Sequence, residues 1–250
     1  MRHLRQQRAS HPVDSVDPRT RLVAAGLLLA LVVSSRSSIF PSQVAAICLP
    51  VTLLAGMPLR TLVLRLLHPF FIAAVILLLK TFMGTTTALL LQAGPLAVSG
   101  DPVGLQEGLL AASRIIGAVS VAILFSQVTS FTETMAALAW LRVPRGLVEV
   151  SLFAWRTLFT LYDDAAIVYT AQKNRLGYCG IRRGLKSFGA MAGMLVIRAF
   201  DSSQAMTVAM TQRGYDGNLP LLRGDRPGTA QLAGLALFAL IATAAWKLQN

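Results

Sequence analysis

The chain is short of charge. Only 14% of its 250 residues are Asp, Glu, Lys or Arg, where an ordinary soluble domain carries roughly 25%. Together with 54% hydrophobic residues and a mean hydropathy of +0.60, that deficit points away from a soluble domain and toward a multi-span membrane protein. Cysteine is nearly absent. Cys48 lies in an apolar run and Cys179 in a basic one, so there is no disulfide framework and both read as free thiols. Histidine is as scarce: His3, His11 and His68 have no Cys or His at ligand spacing, and no metal site is expected. The chain also lacks a Walker lysine loop, a nucleophile elbow and paired catalytic carboxylates. It is therefore not expected to be an enzyme or to hydrolyse ATP by itself.

Acidic residues are the scarcer sign, 11 against 23 Lys and Arg, for a net charge of +12. Such an excess suits nucleic acid, an anionic membrane surface, or the cytoplasmic loops of a membrane protein. Distribution decides between them. Residues 81–107 carry no Lys or Arg, whereas residues 141–226 carry twelve Lys/Arg against six Asp/Glu. Cations sorted along an apolar chain follow the positive-inside rule, which nucleic-acid binding does not require. The N-terminal "MRHLRQQRAS" is followed by "HPVDSVDPRT" and not by an apolar core, so no cleaved signal peptide is expected.

Read along the chain, residues 1–21 form a basic arm ending in "DPRTRL". Pro18 suits a first helical position, and Asp17 is a favoured cap. The apolar stretch 22–34 is short for a crossing of about 20 residues, which Arg19 and Arg21 can extend by snorkelling. A second span is expected over 39–57 despite Pro41 and Pro50, then a cytoplasmic turn at 58–69, a third span over 66–83, and an external segment over 84–107. A fourth span covers 108–128, with Arg114 facing the interior or snorkelling. Ser130 and Glu133 form a capping signature. Residues 152–175 and 185–212 have helical periodicity but are too polar to face lipid, and read as amphipathic helices. Small residues Ala190, Ala192, Gly193 and Ala199 would allow a close helix crossing in the second. Residues 218–228 are a turn-rich connector, and 229–246 a final span ending at Trp246 and Lys247.

The polar region holds a near-repeat. "AQKNRLGYCG" at 171–180 returns as "AMTQRGYDG" at 209–217. In each, a helix should finish near an arginine, with Gly177 and Gly214 placed to take the left-handed backbone of a helix stop. An arginine there also favours the helix dipole, so two ordinary helix ends are the plain account. The shared Arg, Gly and Tyr exceed what termination needs. A small, cationic tip rimmed by an aromatic suits a groove on a partner. Nearby, Arg198 and Asp201 are spaced to pair along a helix. Arg156, Asp163 and Asp164 are placed to meet charges of another helix, or simply to be solvated.

The order of "FAWRTLFTLYDDA" at 153–165, "AQKNRLGYCG", "VIRAFDSSQAMTVAMTQRGYDG" at 196–217 and a closing span resembles the transmembrane T component of energy-coupling-factor (ECF) transporters, most closely its cobalt-transporting CbiQ branch. "DPRTRL" and "RVPRGLVEV" fit the same pattern, and the resemblance covers nearly the whole chain.

The resemblance implies an all-α membrane protein with about five transmembrane helices plus amphipathic cytoplasmic coupling helices, in an L-shaped arrangement. It would be built from an arm and four spans (1–128), a coupling module (129–228) and a last span (229–250). It implies two ABC-type ATPase partners (CbiO-like), a substrate-binding membrane subunit (CbiM-like) and a small accessory subunit (CbiN-like). ATP would be bound by the ATPases, with no cofactor in this chain. Arg175, flanked by Asn174 and Leu176, and Arg213, flanked by Gln212 and Gly214, would be the two coupling arginines. Arg156, Asp163, Asp164, Arg198 and Asp201 would brace the coupling helices. The cargo implied is cobalt ions, with nickel or a vitamin as alternatives, in a bacterial or archaeal plasma membrane with the N-terminus cytoplasmic. Two rivals are a self-contained permease, for which no matching pair of broken helices appears, and a lipid-modifying membrane enzyme, for which the acids are too few and scattered.

Overall fold

The structure, a computed structural model, describes residues 17–82, 88–93, 96–100, 102–215 and 229–249. Most of the basic arm with His3 and His11, the 83–87 stretch, Asp101 and the 218–228 connector lie outside the described residues. The chain divides into two compact units, Met1–Thr134 with Asp225–Asn250, and Met135–Gly224.

The first unit contains helices α1 (Pro18–Ser34), α2 (Ile39–Leu54), α3 (Leu59–Phe82) and α4 (Pro102–Val128), a strand pair β1 (Ala88–Ala93) and β2 (Leu96–Gly100), and α8 (Thr229–Gln249). Pro18 opens α1 as expected, but Asp17 caps it through its carbonyl and not its side chain. Pro41 sits in the first turn of α2, where a missing N–H costs nothing. The expected turn at 58–69 is instead continuous helix. Pro58 supplies its carbonyl to Thr61 and Leu62, and α3 runs from there through Pro69 to Phe82. A proline interrupts only one backbone bond, and the apolar sequence around it keeps the helix intact. The segment read as external contains an antiparallel hairpin, with Ala93 opposite Leu96. It is the only strand structure among the described residues, and the fold is otherwise all-α.

Helix α4 is the hub of this unit and packs on α1, α2 and α3. A third of its apolar window is buried (33%), against 11% for α3 and 6% for α8. Two glycines make the close approaches. A Cβ on Gly117 would stand 2.9 Å from the Pro41 carbonyl oxygen, and one on Gly108 3.1 Å from Leu77 Cα. Val32, Phe40, Val44, Cys48 and Val121 form the core. Elsewhere large apolar side chains lie exposed, Phe70, Phe71 and Leu79 on α3 and Leu237, Leu240 and Ile241 on α8 among them. A water-soluble chain rarely leaves patches of that kind uncovered. α3, α4 and α8 are long and apolar enough to cross a bilayer; α1 and α2, with 17 and 16 residues, are shorter than the usual span of about 20.

Arg21 does not snorkel. It is buried, and its Nη1 donates to the Val128 carbonyl at 2.7 Å, with Glu133 at 3.8 Å. An unsatisfied helix-end carbonyl within reach is a better partner than distant water. Arg114 turns inward, as one of the two expected outcomes, and donates to the Ser35 carbonyl.

The second unit contains most of α5 (Phe131–Trp140), then α6 (Arg145–Asn174) and α7 (Ile181–Gln212). α5 opens on the expected capping box: Ser130 N–H donates to Glu133 Oε2 at 3.0 Å and Glu133 N–H to Ser130 Oγ at 3.4 Å. α6 begins earlier than its periodicity suggests because Pro144 offers its carbonyl to Leu147 and Val148. α6 and α7 form an antiparallel helical hairpin. Gly193 has no atom within 4 Å of where a Cβ would lie, so the close crossing expected around it is absent. The tight glycine contacts of the bundle are those on α4.

Candidate functional site

Both arginine-bearing ends are helix stops of one kind. At the end of α6, Leu176 N–H donates to the Lys173 carbonyl and Gly177 N–H to the Gln172 carbonyl. At the end of α7, Gly214 N–H donates to Thr211 and Tyr215 N–H to Met210. Each is the paired-bond Schellman stop. Arg175 and Arg213 occupy the same place in it, the C-cap, with φ/ψ of −93°/19° and −89°/7°. Gly214 takes the left-handed conformation expected of it (φ 76°).

Gly177 does not. The left-handed residue at the first stop is Leu176, φ 58°. Gly177 is needed for a different reason. A Cβ there would lie 2.7 Å from Ser187 Oγ and 2.9 Å from the Gln172 carbonyl oxygen. Ser187, in the first turns of α7, donates to the Gly177 carbonyl at 2.9 Å, which seats the turn between the two helices.

The tyrosines turn their hydroxyls inward. Both are half-buried and reach back to α6. Tyr178 Oη donates to Gln172 Oε1 at 2.8 Å, and its ring lies against Tyr169 with centroids 4.9 Å apart. Tyr215 Oη donates to Glu149 Oε2 at 2.8 Å, and Glu149 is 5% exposed. Arg175 and Arg213 themselves are exposed, as are Asn174, Leu176, Gln212 and Gly214.

Of the five charged residues considered for bracing, the structure brings two together. Arg198 Nε lies 2.6 Å from Asp164 Oδ2, joining α7 to α6. Arg198 therefore pairs across the hairpin and not with Asp201 along its own helix. Asp164 is the better partner because its side chain is only 14% exposed, whereas Asp201 already faces water. Arg156, Asp163 and Asp201 are exposed and form no ion pair among the described residues. A cleft of about 450 Å³ opens between the helices, its lining including Phe153, Thr157, Met206 and Met210 together with Asp164, Arg198 and Tyr215. No group of three His, Cys, Asp or Glu converges among the described residues.

Glu149 escapes a reading of the sequence because its partner Tyr215 lies 66 residues away, and Gln172 and Ser187 because their partners come within reach only once the turn between α6 and α7 has formed. The repeated Gly-Tyr after each arginine is the one local signal that points to them.

A profile of the CbiQ family, described as cobalt transport protein, matches residues 9–222. The chain belongs to the CbiQ family. A cobalt transport protein CbiQ of Rhodobacter capsulatus is 31% identical over 169 residues, covering 67% of this chain and 69% of its own length. An energy-coupling factor transporter transmembrane protein EcfT of Staphylococcus aureus is 28% identical over 218 residues, covering 83% and 81%. A putative fused cobalt transport protein CbiMQ of Methanocorpusculum labreanum is 28% identical over 169 residues, covering 68% of this chain and 28% of its own length. Of another relative, from Methanocaldococcus jannaschii, the match spans about half, 51%. Membership in this family and the uncovered apolar helices together make this a membrane protein of a transport family.

Proposed function

We propose that the chain is the transmembrane coupling subunit of an ATP-driven ECF-type uptake transporter. It passes the motion of two ABC-type ATPases to a substrate-binding membrane subunit, and cobalt ions are the cargo. α1 and α2 cross the bilayer together with the three longer apolar helices, the N-terminus is cytoplasmic, and the hairpin of α6 and α7 lies on the cytoplasmic side. The chain is the non-catalytic member; ATP is bound and hydrolysed by its partners.

The observation that carries this reading is the matched pair of helix stops. Arg175 and Arg213 are exposed at the same position of two helix stops of one kind, and a rigid guanidinium fork held at a helix end is suited to a socket on a partner. Two similar tips suit two similar sockets, as two copies of one ATPase would offer. The relative that joins CbiM and CbiQ in one chain supports a CbiM-like neighbour in the membrane. Cobalt as cargo is supported by the family's name and the Rhodobacter capsulatus relative. The Asp164–Arg198 pair braces the two coupling helices.

The test is the double substitution Arg175→Ala/Arg213→Ala, made in the assembled transporter. Loss of ATPase copurification, or ATP hydrolysis without cobalt uptake, is expected. Normal assembly and uptake would overturn the reading. Competition of labelled cobalt uptake by nickel and by vitamins separates the cargo from the coupling role.

A further inference from the structure

Resting on that coupling role, we infer that Tyr178 and Tyr215 are positioning residues that tie both arginine tips to opposite ends of a single helix, α6, and so set the distance between the two sockets. Each tyrosine lies just beyond its arginine, three residues on for Tyr178 and two for Tyr215. Each hydroxyl donates at 2.8 Å to a side-chain acceptor on α6, Gln172 near its C-terminus and Glu149 near its N-terminus. The second bond joins the end of α7 to α6 several turns from the Asp164–Arg198 pair, on the far side of the cleft between the helices. With it, the tip carrying Arg213 is fixed to the start of α6.

Burial makes the second bond matter more. Glu149 is 5% exposed, and a buried carboxylate that loses a donor is costly. The left-handed Gly214 turns the chain so that Tyr215 reaches it. At the first tip the Ser187 bond to Gly177 and the contact of the Tyr178 and Tyr169 rings add to the same anchoring. Along α6, from Glu149 to Arg175, the helical rise of 1.5 Å per residue separates the tips by roughly 40 Å. The hairpin then acts as a bar of fixed length. It transmits a change in the spacing or tilt of its two sockets, where two loosely hinged arginines would absorb it.

The experiment uses the full transporter in nanodiscs, with spin labels at Asn174→Cys and Gln212→Cys in a Cys179→Ser background, leaving Cys48 buried. A narrow distance distribution near 40 Å is expected. Tyr215→Phe, which keeps the ring and removes only the hydroxyl, should broaden it and, in the transporter without the label cysteines, lower cobalt uptake per ATP hydrolysed about fivefold, with the ATPases still bound. In the chain that keeps Tyr215, Glu149→Gln retains an acceptor and should keep a narrow distribution and coupling, whereas Glu149→Leu should mimic Tyr215→Phe. An unchanged distribution in Tyr215→Phe overturns the proposal, as does failure of Glu149→Gln to outperform Glu149→Leu. A broadened distribution with undiminished uptake per ATP upholds the anchoring and overturns the claim that the fixed spacing transmits the motion, while the coupling role of Arg213 stands or falls with its own alanine substitution.

Discussion

Arg21 and Arg114 each donate to the carboxyl end of the helix that carries the other. Arg21, in the first turn of α1, reaches the carbonyl of Val128, the last residue of α4. Arg114, in the middle of α4, reaches the carbonyl of Ser35, the C-cap of α1. Both carbonyls are among those a helix cannot satisfy internally, and both lie at the negative end of a helix dipole. Two cations that would be costly in an apolar bundle are thereby used to pin two helices together.

Removing either arginine should therefore destabilise the bundle by about 2 kcal/mol, the loss of a charged hydrogen bond at a buried carbonyl. The two contacts lie on the order of 20 Å apart along α4, so the losses in Arg21→Ala and Arg114→Ala should add in the double variant. Arg114→Lys should recover only part, because a point charge lacks the fork. Unfolding in detergent micelles measures this; an effect below about 0.5 kcal/mol at both sites would contradict the pinning.

Glycine to alanine should have opposite signs at two sites. At Gly117 the new Cβ meets the Pro41 carbonyl at 2.9 Å, a backbone atom that cannot easily move, and the cost should be about 1–3 kcal/mol. At Gly193 nothing lies within 4 Å, and the better helix propensity of alanine should stabilise by up to about 1 kcal/mol. Melting of the two variants side by side checks the difference.

Much of the fold is legible in local pattern. The capping box of Ser130 and Glu133, the helix start at Pro18 and the glycine stop at Gly214 depend only on neighbours, and each forms where the residue types predict it. What fails depends on distant partners. A local reading of Arg21 points to snorkelling because the Val128 carbonyl is 107 residues away in the chain. Arg198 has an acid three residues on, yet pairs with Asp164 on the other helix. Leu176 adopts the left-handed turn although a glycine follows it, because the contact with Ser187 holds Gly177 one place further along. The two candidate arginines are marked by repetition in the sequence, while their anchors on α6 are brought to them only by the fold.

Leu176 offers a separation of stability from function. A leucine in the left-handed region costs on the order of 1 kcal/mol, so Leu176→Gly should raise stability by roughly that amount or somewhat less. Leu176 is also 64% exposed beside Arg175. If that side chain packs against the ATPase, uptake per ATP should fall while the melting temperature rises. A parallel rise in both would leave Leu176 a purely structural residue.

The Asp164–Arg198 pair should respond asymmetrically. Arg198 is 59% exposed and Asp164 14%. Arg198→Ala strands a mostly buried carboxylate and should cost about 1–3 kcal/mol. Asp164→Asn leaves an arginine that can turn to water, and should cost under about 1 kcal/mol. Denaturant titration of both variants decides; equal effects would mean the pair is an ordinary surface contact.

The most direct measurement of the coupling account is photo-crosslinking in native membranes, with a benzophenone amino acid placed at position 176 or 212, each beside one exposed arginine. Adducts with the ATPase subunits from both positions are predicted, lost when nucleotide-free ATPases are stripped from the membrane. Adducts confined to lipid, or access to these positions from the external face, would contradict it.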